Sequence, residues 1–94
     1  MLFFIVKPNI TTFESDPKIA TVDKDMAITC KADGFPEPGY IIYHDDTKLS
    51  GVVKGMKLIQ SINRRHAGQY KCVANNTIGR NSESFFLTVK GEIV

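Results

Sequence analysis

The chain has 94 residues, which is enough for one domain with one hydrophobic core. Apolar residues make up 43% of it, a share typical of globular proteins and too high for a disordered chain. The formal net charge of +2 is too small to indicate nucleic acid or an acidic membrane as the partner. No stretch approaches the roughly 18 consecutive apolar residues of a membrane-spanning helix. Leu2–Val6 is too short for the apolar region of a signal peptide. If the parent protein is attached to a membrane, we expect its anchor and its targeting signal to lie outside these 94 residues.

The first third of the chain predicts two strands and no legible helix. Asn9-Ile10-Thr11 is an N-glycosylation sequon, expected just before the first strand proper. Ser15-Asp16-Pro17 predicts a break between two halves of that strand, which resumes at Ile19–Val22. In Met26–Ala32 every second residue is apolar, which is the pattern of a half-buried strand.

The middle of the chain alternates strands and turns. The predicted segments are a strand at Tyr40–His44, a turn at Asp45–Thr47, at most one short edge strand near Lys48–Val53, and a strand at Met56–Ile62. Because Leu58 and Ile59 are adjacent, the pattern leaves open which of the two faces the core.

Two strands close the chain. In the first, from Gly68 to about Asn75, alternation points Tyr70, Cys72 and Ala74 the same way. Asn75-Asn76-Thr77 forms a second sequon, on Asn75. In the second strand, Phe85, Leu87 and Val89 are predicted to face the core, and Ser84, Phe86 and Thr88 to face out.

Gly68-x-Tyr70-x-Cys72 resembles strand F of an immunoglobulin domain, and Cys30 then falls on strand B. The spacing from Cys30 to Pro38 resembles the B–C turn of I-set immunoglobulin domains. The resemblance covers residues 8–90 and is carried by Cys30, Ala32, Gly34, Pro36, Pro38, Gly68, Tyr70, Cys72, Ala74, Asn76 and Gly79. It implies an all-β, immunoglobulin-like two-sheet Greek-key sandwich of I-set type, forming a single domain over residues 1–94 with its core at 8–90.

The resemblance also implies a disulfide between Cys30 and Cys72 and a tyrosine corner, in which the Tyr70 hydroxyl bonds to backbone just upstream. Such a bridge would add about 4 kcal/mol on the loop-entropy model. It would also indicate an oxidising compartment. The alternative is a pair of buried reduced thiols, as in immunoglobulin-like domains of cytosolic muscle proteins.

The sequence departs from the family at two positions. The core tryptophan would fall at Ile42, and the chain contains no tryptophan. We expect a neighbouring aromatic residue, Phe35, Tyr40 or Phe85, to fill the space. His66 stands where the family usually has Asp, and we interpret it as a substituted structural position and not as a catalytic or pH-sensing group.

The two ends of the chain resemble each other. Phe3–Pro8 is similar to Phe85–Lys90, near the other end. Two interpretations stay open. In the first, the ends are two copies of a junction between tandem immunoglobulin domains, and the segment is excised from a multi-domain chain. In the second, Phe3–Val6 simply forms the first strand of this domain.

The residue patterns indicate a binding module and not an enzyme. No glycine-rich loop precedes a helix, neither histidine has zinc-ligand spacing to the cysteines, and the family offers no nucleophile with an adjacent base. We therefore expect no catalytic residue, no cofactor and no metal.

Strand parity predicts the surface that binds a partner. The strand at Tyr40–His44 corresponds to strand C of the resembled fold, and the two closing strands correspond to strands F and G. The side chains leaving the core on these three strands include Ile41, Tyr43, Gln69, Lys71, Val73 and Phe86. In the resembled fold these strands are neighbours, so we expect one exposed apolar face that binds another protein, either an immunoglobulin-type domain or a second copy. Alternatively, loops or a preceding domain cover this face.

Two functions compete. The first is an extracellular, glycosylated module for protein–protein recognition in cell adhesion or in a receptor ectodomain. The second is a structural I-set module of an intracellular muscle or cytoskeletal filament. The sequons and the cysteine pair favour the first.

Overall fold

Nine β-strands follow one another along residues 4–91, the part of the chain that the computed structural model describes. They are β1 (Val6–Asp16), β2 (Ala20–Thr21), β3 (Met26–Phe35), β4 (Gly39–His44), β5 (Thr47–Lys48), β6 (Met56–Ile59), β7 (Gly68–Asn75), β8 (Arg80–Leu87) and β9 (Val89–Lys90). A single 3-10 turn at Arg64–His66 precedes β7. The all-β prediction is confirmed. Phe3, at the start of the predicted junction, lies outside the described residues.

The strands form two sheets and one additional pair. One sheet has the order β1-β3-β6 and the other β5-β4-β7-β8, while β2 pairs in parallel with β9. The predicted break in the first strand is confirmed, because β1 ends at Asp16 and β2 starts at Ala20. Pro17 cannot donate a backbone hydrogen bond, so the ladder with β3 stops there and the chain continues into the separate pair with β9.

The core lies where the two sheets face each other. Met26, Ile28 and Cys30 are buried on β3, and Tyr70 and Cys72 are buried on β7. The predicted disulfide is present between Cys30 and Cys72, with the Cα atoms 6.5 Å apart, and it joins the two sheets. Phe85, Leu87 and Val89 face inward as predicted, while Phe86 is 74% exposed.

Ile42 occupies the position of the missing tryptophan. Its side chain is fully buried, and its Cα pairs with that of Cys72 across β4 and β7. Tyr40 packs against the group around the disulfide, and Phe85 against the group that contains Ile42. The expectation that Phe35 fills this space is wrong, because Phe35 is 50% exposed. It ends β3 one position out of phase with Cys30, so its side chain leaves the core.

β5 and β6 are shorter than predicted, whereas β4 extends over the predicted strand and begins one residue earlier. The edge strand is Thr47–Lys48, and β6 stops at Ile59. Ser61 has a positive φ of 52°, which extended strands do not adopt, so β6 cannot run on to Ile62. Within β6, Ile59 is buried and Leu58 is 58% exposed, which settles the open question of their direction.

Two tight turns shape this side of the molecule. Asp45 and Asp46 have φ of 47° and 68° and join β4 to β5, as a type I′ hairpin turn requires. Lys54 and Gly55 repeat this arrangement between Val53 and Met56, whose backbones exchange two hydrogen bonds. A side chain at Gly55 would collide with the carbonyl oxygen of Cys30, so only glycine fits there.

Candidate functional site: the outer face of the β4–β7–β8 sheet

Three apolar side chains meet at the centre of the outer face of this sheet. Ile41 on β4 lies directly opposite Val73 on β7, and Tyr43 is the next outward residue along β4. All three are half-buried. Directly opposite residues in an antiparallel pair have Cβ atoms about 5 Å apart, so the three side chains form one cluster. We call Ile41, Tyr43 and Val73 the central cluster.

Phe86 stands apart from the central cluster. It pairs with Gln69 on β7, whereas Val73 is opposite Ser82 and Lys71 is opposite Ser84. The Gln69 side-chain amide also donates to the Ser84 hydroxyl at 3.3 Å. Polar groups therefore separate Phe86 from the apolar centre, and the sheet brings together three of the four apolar residues predicted to share this face.

Basic residues surround the central cluster. Lys71 pairs with Tyr43 from one side, and Lys48 on β5 pairs with it from the other. Arg80 has the same outward parity on β8. The outward positions of β4, β5, β7 and β8 carry these three basic residues and no carboxylate. Sequence reasoning missed Lys48, which the two-residue turn before β5 could have placed opposite Tyr43.

One end of the sheet is held by the tyrosine corner, which the structure confirms. The Tyr70 hydroxyl donates to the carbonyl oxygen of His66 at 2.5 Å. Burial, and next the charge of Asp45, raise the pKa of Tyr70 to about 12, so the phenol keeps its proton at physiological pH. The imidazole ring of His44 stacks on the Tyr70 ring with centroids 4.4 Å apart. Its Nε2 donates to the Ala67 carbonyl oxygen at 2.8 Å.

His66 caps the 3-10 turn before β7. Its Nδ1 accepts a hydrogen bond from the backbone N–H of Asn63, while the Asn63 side chain accepts from the N–H of Arg65. This reciprocal arrangement is a capping box in which histidine replaces the usual Glu or Gln. His66 therefore has the structural role expected of a substituted position.

Gly68 lets β7 approach the β4–β5 turn. It has φ of +135°, and a Cβ there would lie 2.5 Å from a carboxylate oxygen of Asp45. That carboxylate accepts the backbone N–H of Gln69 at 2.9 Å. The absence of a side chain at Gly68 thus permits the bond that joins the turn to β7.

Asn76 holds the other end of the sheet. Its side-chain nitrogen donates to the carbonyl oxygens of Val6 and Pro36. Its side-chain oxygen accepts from the N–H groups of Ile78 and Gly79. One side chain therefore connects the β7–β8 turn, the start of β1 and the β3–β4 turn.

Both sequon asparagines are exposed, but they lie on different faces. Asn9 pairs with Asp33 inside β1, so its expected place before the first strand is wrong; the strand begins earlier, at Val6. Its parity places it on the outer face of the β1–β3–β6 sheet. Asn75 ends β7 opposite Gly39 and shares parity with Val73, so it borders the face of the central cluster.

Comparison with known proteins shows the family. The model of the immunoglobulin domain matches residues 7–76, well over half of the chain. The chain belongs to the immunoglobulin domain family. This immunoglobulin domain is 28% identical over 96 residues to the limbic system-associated membrane protein of Rattus norvegicus, a match that covers 92% of the chain and 28% of that protein. It is 31% identical to neural cell adhesion molecule 1 of Gallus gallus, with 89% of the chain and 9% of that protein covered.

The chain is also similar to a muscle protein and to several solved structures. The muscle M-line assembly protein unc-89 of Caenorhabditis elegans is 28% identical, over 80% of the chain and 1% of that protein. Among solved structures, Sidekick-1 immunoglobulin domains 1–4 superpose with a TM-score of 0.80 at 27% identity, over 92% of this chain and 25% of that one. Titin M4 superposes with a TM-score of 0.79 at 18% identity, covering 94% of this chain and 100% of that one, and this likeness shows the fold alone.

The domain corresponds to a small part of several relatives. It spans about a quarter of the limbic system-associated membrane proteins and less than a tenth of neural cell adhesion molecule 1. Within residues 4–91 no helix is long and apolar enough to cross a membrane.

Proposed function

We propose that this immunoglobulin domain is an extracellular protein-recognition module of a cell-adhesion molecule or receptor ectodomain, and one unit of a longer chain. The disulfide supports an oxidising compartment, and the similarity to neural cell adhesion molecule 1 supports adhesion. The two exposed sequons fit the same location, because N-linked sugar is added in the secretory pathway.

The central cluster with its basic surround carries the proposal. Ile41, Tyr43 and Val73 supply adjacent apolar area on a regular sheet, and tyrosine is enriched among residues that dominate binding energy. Lys48 and Lys71 flank Tyr43, so the matching surface on the partner carries acidic residues around an apolar centre. Two copies meeting face to face would oppose like charges, and this favours a different immunoglobulin-type or other protein as the partner.

Bead adhesion tests this role. Beads coated with the domain should bind cultured cells, and moderate salt should weaken that binding because the lysines are exposed. The double variant Tyr43→Ser with Lys71→Glu should abolish adhesion, whereas Leu58→Ser, which removes an exposed apolar side chain from the other sheet, should not. Equal adhesion by all three proteins, with the fold intact by circular dichroism, would reject this face. Sedimentation over a concentration series should show a monomer, and a dimer lost in the double variant would make the partner a second copy.

A second candidate function is a structural module of an intracellular filament, favoured by the similarity to unc-89. The state of Cys30 and Cys72 in protein from its native source separates the two. Alkylation without reduction should modify neither cysteine of an extracellular domain. Two alkylated cysteines in folded material would favour the filament module.

A further inference from the structure

A groove opens between the two sheets on the side of β6. It has a volume of about 350 Å³, and its apolar floor is formed by Leu49, Ile59 and Tyr70. Its rim carries His44, Lys57 and His66. Because no strand is formed between β5 and β6 among the described residues, the sheets remain apart at this edge. The volume is that of a site for a small ligand.

Lys57 is an unusual residue for its position. It shares strand parity with the buried Ile59 and lies opposite the buried Ile28, so its side chain points inward and is half-buried. Its ammonium donates to the Ser50 carbonyl oxygen at 2.8 Å. Among residues 4–91, no carboxylate lies within ion-pair distance of this ammonium. An ammonium without a counter-charge beside an apolar groove offers a favourable site to an anion.

The hydrogen bonds of the two histidines fix which ring nitrogen carries a proton. His66 Nδ1 accepts the Asn63 N–H, so the neutral ring holds its proton on Nε2 and presents a donor there. His44 Nε2 faces the Ala67 carbonyl oxygen, which can only accept, so this nitrogen donates. The lining residues of the groove include no acid. The Asp45 carboxylate lies 3.5 Å from Nε2 of His44, but Asp45 itself does not line the groove.

We propose that this groove binds the carboxylate of a small apolar acid. The apolar part of the ligand packs against Leu49, Ile59 and Tyr70, and the carboxylate accepts from the Lys57 ammonium and from Nε2–H of His66. Two sources share this chemistry, a free short-chain acid and the C-terminal residue of a polypeptide. The groove and the central cluster are on different surfaces, so either proposal can fail without the other.

An inward-pointing charge on an edge strand has another known use, since it discourages a second chain from pairing with the free edge. If Lys57 only guards the edge of β6, its removal makes the domain self-associate and leaves small acids without effect. The two roles therefore predict different results for the same variant.

The test is a titration of isotope-labelled domain with isovalerate near neutral pH and at constant ionic strength. Amide shifts should concentrate at the groove residues, with a Kd on the order of millimolar for so small a ligand. Lys57→Gln should weaken binding about tenfold or more, since a charge-assisted hydrogen bond is lost. Lys31→Gln, the same change at an exposed lysine on the outer face of β3, should leave binding unchanged.

Matched ligands complete the design. Isovaleramide, which has the same shape without the charge, should bind at least about tenfold more weakly than isovalerate. A short peptide ending in leucine with a free carboxylate, compared with its C-terminal amide, shows whether a polypeptide end also fits. Equal shifts with acid and amide, an unchanged Kd in Lys57→Gln, or self-association of that variant without any effect of isovalerate on wild type would overturn the proposal.

Discussion

At Gly68, as at Gly55, the backbone conformation and the surroundings both exclude a side chain. The Gly68 φ of +135° is rare for other residues, and an added Cβ would displace the Asp45 carboxylate from the Gln69 N–H. We expect Gly68→Ala to lower the free energy of unfolding by about 2–4 kcal/mol, measured by urea denaturation.

Gly39→Ala is the matched control for that variant. A Cβ at Gly39 meets only the carbonyl oxygen of Asn75, at 3.9 Å, and the backbone there is ordinary strand. The substitution should change stability by no more than about 0.5 kcal/mol. A similar loss in both variants would show that any side chain on these strands is harmful and that Gly68 is not special.

Ile42 shows how the core accommodates the loss of a large aromatic residue. Its side chain is fully buried beside the disulfide, with Tyr40 and Phe85 packed nearby. Ile42→Trp should therefore overpack the core and cost about 1–3 kcal/mol. Ile42→Val should cost about 0.5–1.5 kcal/mol through lost contacts. A higher urea midpoint for the tryptophan variant would mean that the neighbours leave the space unfilled.

Tyr70 should make the fold sensitive to alkali. Its pKa rises from 10.0 in the unfolded chain to about 12 in the folded protein. The folded state therefore keeps a proton that the unfolded state releases first. This stabilisation is complete below pH 10 and is lost as the pH passes through 12, an effect on the order of 2 kcal/mol.

The variant Tyr70→Phe isolates this effect. It should be less stable at neutral pH by about 1–2 kcal/mol, because the bond to the His66 carbonyl is gone. It should also lose less stability than wild type between pH 10 and 12, the interval set by the Tyr70 pKa. Tyr43→Phe, a change on the outer face, should retain the alkaline loss of wild type. Parallel pH profiles for Tyr70→Phe and wild type would contradict the assignment.

The two adjacent aspartates of the β4–β5 turn make different contributions to stability. Both have positive φ, but only Asp45 accepts the Gln69 N–H. Asp46→Gly should therefore raise the free energy of unfolding by about 0.5–1 kcal/mol by relieving the left-handed conformation. Asp45→Gly should lower it by about 1 kcal/mol, because the hydrogen bond is lost. Thermal denaturation of both variants tests this, and the prediction fails if the two changes have the same sign.

Sequence alone located the strands whose residues alternate strictly. In β3 and β7 the cysteines fix the inward parity, and Met26, Ile28, Tyr70 and Ala74 follow from it. The end of β6 was less predictable. Ser61 adopts a left-handed backbone conformation, and a serine in the sequence does not indicate this. Parity also identified the residues of the central cluster, whereas the offset of Phe86 depends on the pairing register, which one sequence does not determine.

The groove was beyond sequence reasoning for a related reason. Lys57 reads as a polar residue beside the apolar pair Leu58 and Ile59, and only the register with β3 shows that it points inward. His44 and His66 are far apart in the chain and line the same groove because β4 and β7 are neighbours. Pairing between strands that are distant in the sequence brings the residues of such a site together, and local sequence patterns do not reveal that pairing.

Sugars on the two sequons would cover different faces of the domain. Asn9 is exposed on the β1–β3–β6 face, and Asn75 borders the central cluster. We expect sugar on both when a mammalian cell secretes the domain, seen as a mass loss on glycosidase treatment. Asn9→Gln and Asn75→Gln should each remove one of the two additions. An unchanged mass after treatment would contradict the expectation at both sites.

The parallel pairing of β2 with β9 bears on how the domain is made. Ala20 lies beside Val89, so this contact joins segments separated by most of the chain. Closing so long a loop costs entropy before any contact compensates for it, and folds with many such contacts form slowly. A ribosome that has released only the first eight strands has a chain in which β2 lacks its partner. The emergence of β9, the last strand of the described domain, therefore completes the fold, and until then the edge of β2 is open to pairing with other chains.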